Sequence, residues 1–367
     1  MSKSVLHIAP ENTAGVPYNV VNMQNMFGMP SRLITFYKIP FSFPEDICLN
    51  LPIPRNKLAM KWRDLKLKKI QGEIKEKEAD KWTYMPYFKP KNTVEKIYMI
   101  YREKRDEAKF LKVLEAVKAD SFDIIHFDGG IDFFMDSRLA KKWKSEGKKI
   151  VNCYYGDDLR TRGIVKEMDE LSDLNLTFEY DHTLRHQNIN FLFFPFDNSD
   201  IDYINDDIYN SSKKLRVVHS PTHRFIKGTN EIINALEQAK KVRDFEFVLL
   251  ENLPREKVIE LKKTCHIAID QIGNRGGTGY GINSLESLSM GIPTITDMNC
   301  GMDKWLPENP FIVANKDNLT EKLIKLIDSN DLRQKKRVEG RQWVDKYHSY
   351  ISVFEKLMEY YKKAGII

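Results

Sequence analysis

The sequence predicts an α/β protein made of two units, each a parallel β-sheet flanked by helices. Three observations carry that reading. Short apolar runs of strand type alternate with segments of helical period along most of the chain. The alternation stops in a polar stretch, 196–210, that holds Asp200, Asp202, Asp206 and Asp207, and restarts at Leu215. A length of 367 residues fits about two domains. With 42% hydrophobic and 30% charged residues, the chain can build two cores and is excluded from the disordered class. No apolar run approaches the roughly 20 residues of a bilayer span. The N-terminal residues enter a strand pattern directly, without the apolar region of a signal peptide, so a cytoplasmic protein is expected. Cys48, Cys153, Cys265 and Cys300 have no metal-ligand spacing and are expected as reduced thiols.

The first unit opens with a strand (5–8), a loop (10–17) and a helix starting near Tyr18, then a strand at 32–36. The stretch 41–90 is irregular and punctuated by Pro44, Pro52, Pro54, Pro86 and Pro90. An amphipathic helix (94–119), a buried strand ending Asp123-Ile124-Ile125-His126-Phe127, a helix (137–147) and a strand (149–155) follow. Short strands at 174–178 and 189–193 complete the unit. The second unit reads strand 215–220, helix 229–240, strand 245–250, helix 254–265 and strand 266–271. A Gly-rich stretch, a helix at 318–329 and one long amphipathic helix at 332–364 close the chain. The expected boundaries are 1–197, with a basic insertion at about 41–112, then 198–335, then a C-terminal helix, 336–367, packing back on the first domain.

Within the second unit, Gly276, Gly277, Gly279 and Gly281 precede a helical pattern at Ile282, Leu285, Leu288 and Ser289. A Gly-rich loop opening a helix presents unpaired N–H groups at the positive end of the helix dipole, an anion cradle. Glu286, in the first turns, is placed to accept from vicinal hydroxyls. The alternative is a tight turn with no ligand. A second constellation follows the unit's first strand. Arg224 and Lys227 stand just ahead of a helix beginning Gly228-Thr229. An Arg fork and a Lys point charge beside a helix N-terminus suit a diphosphate, and loops at strand C-terminal ends border the ligand crevice of such sheets.

These residues resemble the GT-B glycosyltransferases, in particular the retaining, nucleotide-sugar-dependent enzymes of the family-4 type. Arg224 and Lys227-Gly228 look like the family's Arg and Lys-Gly pair for the donor diphosphate. The stretch Leu285-Glu286-Ser287-Leu288-Ser289-Met290-Gly291-Ile292-Pro293-Thr294-Ile295 is similar to its Leu-Glu-Ala-Met-Ala-x-Gly-x-Pro-Val-Ile signature, whose Glu binds the ribose hydroxyls. Ala14-Gly15-Val16-Pro17 sits where the family has a Gly-rich loop, Asp123-Ile124-Ile125-His126 is similar to its Asp-Ile-Ile-His strand, and Tyr155-Gly156-Asp157-Asp158-Leu159-Arg160 to its His-Gly-Ser-Asp-Leu-Arg variant. The likeness covers nearly the full chain except 41–112.

The resemblance implies two Rossmann-like domains facing across a cleft and a retaining, metal-independent hexosyltransferase without a cofactor. Such an enzyme moves a sugar from a nucleoside-diphosphate sugar to a glycan or lipid-linked acceptor in cell-surface polysaccharide or glycolipid biosynthesis. It implies catalytic roles for Arg224, Lys227 and His126. Donor contacts are implied for Gly15, Gly228, Thr278, Gly279, Tyr280, Gly281, Ile282 and Glu286, and acceptor-side roles for Asp157 and Asp158. His126 has a second reading as a satisfied core residue, and Asp157 and Asp158 as turn caps. One departure matters: Thr278 stands eight residues before Glu286, where the family often has a sugar-binding Glu. Asp270 is the nearest upstream carboxylate and sits too far back to replace it. A nucleotide-binding or scaffold protein of the same fold, without transfer activity, is therefore the alternative, and an inverting enzyme with a base in the first domain is a rival.

Net charge is +6 and concentrates between Arg55 and Lys112. Leu58, Trp62, Leu65 and Lys69 approximate one helical face among lysines, which reads as docking at the inner face of an anionic membrane or as a solvated helix. No nucleic-acid module or stacking platform accompanies the charge, so nucleic acid is not expected as a partner. Asp200-Ile201-Asp202 has a metal-type spacing but lies among other acids, and no metal is expected.

Overall fold

The computed structural model describes residues 3–38, 43–52, 87–88, 90, 93–156, 158–210, 214–273, 275 and 279–367. The basic segment at Lys57 to Lys77, Asp157, Gly276, Gly277 and Thr278 lie outside the described residues. These residues divide into two compact units, 1–195 with 353–367, and 196–352.

The first unit is built on a parallel sheet whose described strands are β1 (Val5–Ala9), β2 (Ser31–Thr35), β3 (Ile47–Cys48), β4 (Ile124–Asp128), β5 (Lys149–Tyr154), β6 (Leu174–Thr177) and β7 (Asn190–Phe191). Their order is β3-β2-β1-β4-β5-β6-β7, so β1 and β4 are adjacent central strands. All five residues of each are buried. Strands covered on both faces need continuous apolar character, which explains the runs Val5-Leu6 and Ile124-Ile125. The polar exceptions, His7, His126 and Asp128, are what the site must account for. One face packs Leu6, Ile8, Ile125 and Phe127 with Phe36, Phe110, Phe133 and Trp143. The helix Arg138–Ser145 is anchored at its start by Asp132, whose Oδ2 accepts from the N–H of Leu139 (2.9 Å) and of Ala140 (3.1 Å).

The second unit has strands β8 (Arg216–His219), β9 (Glu246–Leu249), β10 (Ile267–Ile269), β11 (Thr294–Thr296) and β12 (Ile312–Val313), ordered β12-β11-β10-β8-β9 and paired in parallel. Helices Thr229–Lys240 and Leu319–Asp328 close one face over Val217, Ile267, Ile269 and Ile295.

Several expectations change. The closing helix is two helices, Asn330–Tyr347 and Tyr350–Lys363. The break falls at His348-Ser349 because the Ser349 hydroxyl accepts from the N–H of Ser352, at 3.4 Å, and so caps the second helix. The first of the two belongs to the 196–352 unit, and the chain rejoins the first unit from Val353. There Phe354 stacks on Phe27 at 4.8 Å, and the Tyr360 hydroxyl donates to the Phe191 carbonyl at 2.8 Å. The helix expected near Tyr18 begins at Val16. The polar stretch between units contains a short helix, Asp206–Asn210. The two-residue strands β3 and β12 have no counterpart in the sequence reading.

Candidate functional site

In the second unit the loop after β8 carries both predicted cations. Arg224 to Lys227 forms one helical turn, entered through His223, whose Nδ1 accepts from the N–H of Ile226 at 3.4 Å. Gly228 ends that turn at φ 67°, and a Cβ there would fall 1.9 Å from the Ile272 carbonyl oxygen. Only glycine fits this close approach, and it fixes Lys227 against the end of β10. The Lys227 ammonium donates to Asp270 Oδ1 at 2.7 Å and to Gln271 Oε1 at 3.2 Å.

Asp270 is fully buried and also accepts from Asn283 Nδ2 (3.1 Å) and Ser284 Oγ (2.7 Å). Burial pushes its carboxyl up, but Lys227 and these donors outweigh burial and hold it at about 2. Asp270 is thus the fixed anion that positions Lys227.

Lys227 Nζ stands 4.0 Å from where a Cβ on Gly281 would lie. Gly281 is the residue before helix Ile282–Ser289. The N–H groups of Ile282 and Asn283 open that helix, whereas that of Ser284 turns back to the Gly281 carbonyl at 2.9 Å, so an ammonium and a helix N-terminus stand close together. Gly279 is held in place through its carbonyl, which accepts from Gln271 Nε2 at 2.6 Å and Thr296 Oγ1 at 2.7 Å. Tyr280 turns away into an aromatic cluster, stacking on Phe311 at 5.1 Å and meeting His348 Nε2 through its hydroxyl at 3.0 Å.

Arg224 is half-exposed and pairs with Glu251 at 2.6 Å. Glu286 is buried, with one oxygen accepting from Arg255 Nε at 2.9 Å and the other from Lys262 Nζ at 3.0 Å. Lys262 is itself fully buried and also reaches the Asn283 carbonyl at 3.1 Å. Lys262 and Arg255 carry no signal in the sequence, because only the tertiary fold brings helix Arg255–Lys262 to Glu286. Asp200 and Asp202 do not act together: Asp200 pairs with Arg255 at 3.3 Å and Asp202 with Lys263 at 2.9 Å.

In the first unit, Gly15 precedes helix Val16–Met26 at φ 75°, under the ring of Phe43. His126 lies inside β4, 2% exposed, and neither ring nitrogen has a hydrogen-bond partner. Burial, and then the neighbouring His7, hold it at about 3, so it is neutral at neutral pH. Asp128, at the C-terminal end of β4, is the better-connected group. It meets His7 Nδ1 at 3.0 Å and accepts from the Tyr155 hydroxyl at 2.5 Å. Asp158 accepts from the N–H of Tyr155 at 2.8 Å and pairs with Arg162 at 3.0 Å, a turn-capping geometry. Arg160 is partly buried between Asp181 and Glu179, at 2.5 Å and 2.6 Å.

No protein-family model and no curated protein matches the sequence. Solved structures do. A sucrose-phosphate synthase from Thermosynechococcus elongatus superposes with a TM-score of 0.60 at 9% identity, covering 98% of both chains. An alpha-glucosyltransferase in complex with UDP and DNA gives 0.58 at 10% identity, again over 98% of both chains. A structure described as a UDP-N-acetylglucosamine 2-epimerase from Listeria monocytogenes gives 0.53 at 12% identity, over 99% of this chain and 97% of that one. Identities this low speak to architecture, and architecture hosts many chemistries. With its two parallel sheets and these neighbours, the chain has the GT-B fold.

Proposed function

We propose that the chain is a retaining glycosyltransferase that moves a sugar from a nucleoside-diphosphate sugar to an acceptor hydroxyl. The observation that carries this reading is Lys227, held by Asp270 at 2.7 Å and aimed at the start of helix Ile282–Ser289. Arg224 stands on the same turn. The leaving diphosphate gathers negative charge as the glycosidic bond breaks. Arg224, Lys227 and the N–H groups near Gly281 and Ile282 stabilise that charge electrostatically, without a metal ion at the diphosphate. Glu286 takes the ribose hydroxyls, oriented for that task by Lys262 and Arg255. Gly279 and its chain neighbour Thr278 complete the donor side.

The acceptor is a glycan or lipid-linked intermediate of a cell-surface polymer, reached from the cytoplasmic side. Helix Thr93–Ala116 supports a membrane-facing surface, since Ile97 and Tyr101 are 61% and 59% exposed beside Lys96, Lys104 and Arg105. No described helix is long and apolar enough to cross a membrane.

The test is incubation with UDP-, GDP- and ADP-sugars and lipid-linked acceptors, following nucleotide release and the anomeric configuration of the product by NMR. Transfer with retention supports the proposal, and an inverted product refutes the retaining mechanism. A second reading, nucleotide binding without transfer, is favoured by the carboxylates already paired with Arg224 and Lys227. Nucleotide binding with no turnover of any donor decides for it.

A further inference from the structure

We propose that His7, His126 and Asp128 hold one divalent transition-metal ion, zinc by ligand type, inside the first unit, as a three-ligand centre with one coordination position left open. Among the described residues these three form the one group of His, Cys, Asp or Glu able to share an ion, with a ligand atom of each within 4.8 Å of the others. The sheet builds the group. β1 and β4 run in parallel with His7 directly opposite His126, and Asp128, two residues on, faces the same side. The two imidazoles lie with ring centres 4.1 Å apart. His7 Nδ1 is 3.0 Å and His126 Nε2 is 4.0 Å from the Asp128 carboxylate. Zinc bonds of about 2.0–2.2 Å to nitrogen and oxygen require ligand atoms about 3–3.5 Å apart. The His7–Asp128 spacing of 3.0 Å meets that range, and His126 Nε2, at 4.0 Å, stands just beyond it.

Two independent observations ask for a cation. The first is His126, buried with both ring nitrogens unpartnered. Buried polar atoms in native proteins have partners, and an exception points to an ion or water that fills the place. The second is the placement of His7: its Nδ1 stands 3.0 Å from an Asp128 oxygen while its Nε2 is held 2.9 Å from Gln24 Oε1, so one ring nitrogen faces the cluster and the other is anchored from outside it.

The surroundings are those of a metal site rather than of a bare charge pair. Ligating histidines donate their other N–H to a carbonyl, and ligating carboxylates are themselves hydrogen-bonded. Gln24 does the first for His7, and the Tyr155 hydroxyl does the second for Asp128 at 2.5 Å. Two imidazoles and one carboxylate suit zinc and its neighbours in the first transition row. Calcium and magnesium prefer all-oxygen sets. The side chains of His7 and Asp128 are 0% and 2% exposed, and that of His126 is 2% exposed. The ion therefore ties β1 to β4 and, through Gln24, to helix Val16–Met26, and it enters as the chain folds.

The experiment is metal analysis of the full chain, expressed in zinc-supplemented medium and dialysed exhaustively. One zinc per chain is expected, absent from the His126→Ala/Asp128→Asn double variant. Gln24→Ala, which keeps all three ligands, binds zinc about 10- to 100-fold more weakly in competition with a chromophoric chelator. X-ray absorption on the wild-type protein keeps the test valid if the double variant fails to fold. A nitrogen and oxygen shell containing two imidazoles is expected. Sulfur in that shell, a metal-free wild type, or zinc content unchanged in the double variant overturns the proposal.

Discussion

Lys227 and Asp270 form a buried ion pair, 2.7 Å long, at the C-terminal edge of the second sheet. Removing one partner of such a pair leaves an uncompensated buried charge, at a cost of about 3–5 kcal/mol. Lys227→Ala is therefore expected to lower stability in urea unfolding by about 3 kcal/mol. Adding Asp270→Asn restores most of that loss, because the stranded charge is gone. If Lys227→Ala alone is as stable as wild type, the pair does not hold the lysine in place.

Gly228 sets the geometry of that pair. A methyl group there meets the Ile272 carbonyl and a left-handed backbone at φ 67°. Gly228→Ala is expected to cost at least about 2 kcal/mol, from the αL conformation and the clash together, read by thermal denaturation. An unchanged Tm would mean that the loop relaxes freely and does not fix Lys227.

Glu286 is expected to bind nucleotide rather than to select the sugar. Replacing one charged acceptor by its amide costs about 1.5–3 kcal/mol of hydrogen bonding to a hydroxyl pair. Glu286→Gln should thus bind the parent nucleotide at least about tenfold more weakly in calorimetry, with unchanged preference among sugars. Equal affinity for nucleotide would remove Glu286 from the ribose site. Arg255, 41% exposed at its side chain, is a partner of a different kind. Arg255→Ala should change stability by no more than about 1 kcal/mol.

His219 gives the fold a dependence on pH. Burial lowers its pKa from 6.5 to about 4, against the Ile269 carbonyl that favours the charged form. Its Nδ1 lies 2.8 Å from that carbonyl and its Nε2 2.9 Å from Thr229 Oγ1. The folded pKa is depressed, so the unfolded chain takes up the proton first. The stabilisation is complete above about pH 6.5 and is lost as pH falls towards 4. Between pH 7 and pH 5 the wild type should lose about 2 kcal/mol more than His219→Gln, measured by urea unfolding at both values. Equal losses would show that His219 is not neutral in the fold.

What was legible in the sequence is what is local in the chain. Helix Ile282–Ser289, and Arg224 three residues before Lys227, are each contained in a short stretch of chain, so residue order displays them. The two-residue strands β3 and β12 carry no period. The helix break at Ser349 hides inside an amphipathic pattern that continues on both sides, and only the serine hints at a cap. The partners of Glu286 and the pairing of His7 with His126 depend on which elements become neighbours. The available signal was that Val5-Leu6-His7 and Ile124-Ile125-His126 both put histidine third in an apolar strand. It gains meaning only once β1 is known to lie beside β4.

The most direct test of the central claim is nucleoside diphosphate release from a panel of nucleotide sugars. Wild type is compared with Lys227→Met/Asp270→Asn, a variant from which both buried charges have been removed. The account predicts turnover of at least one donor by the wild type. The double variant, folded by circular dichroism, should be slower by about 100-fold or more, the usual loss on removing a group that stabilises transition-state charge. Equal rates in the two proteins would contradict the assignment of the donor diphosphate to Lys227.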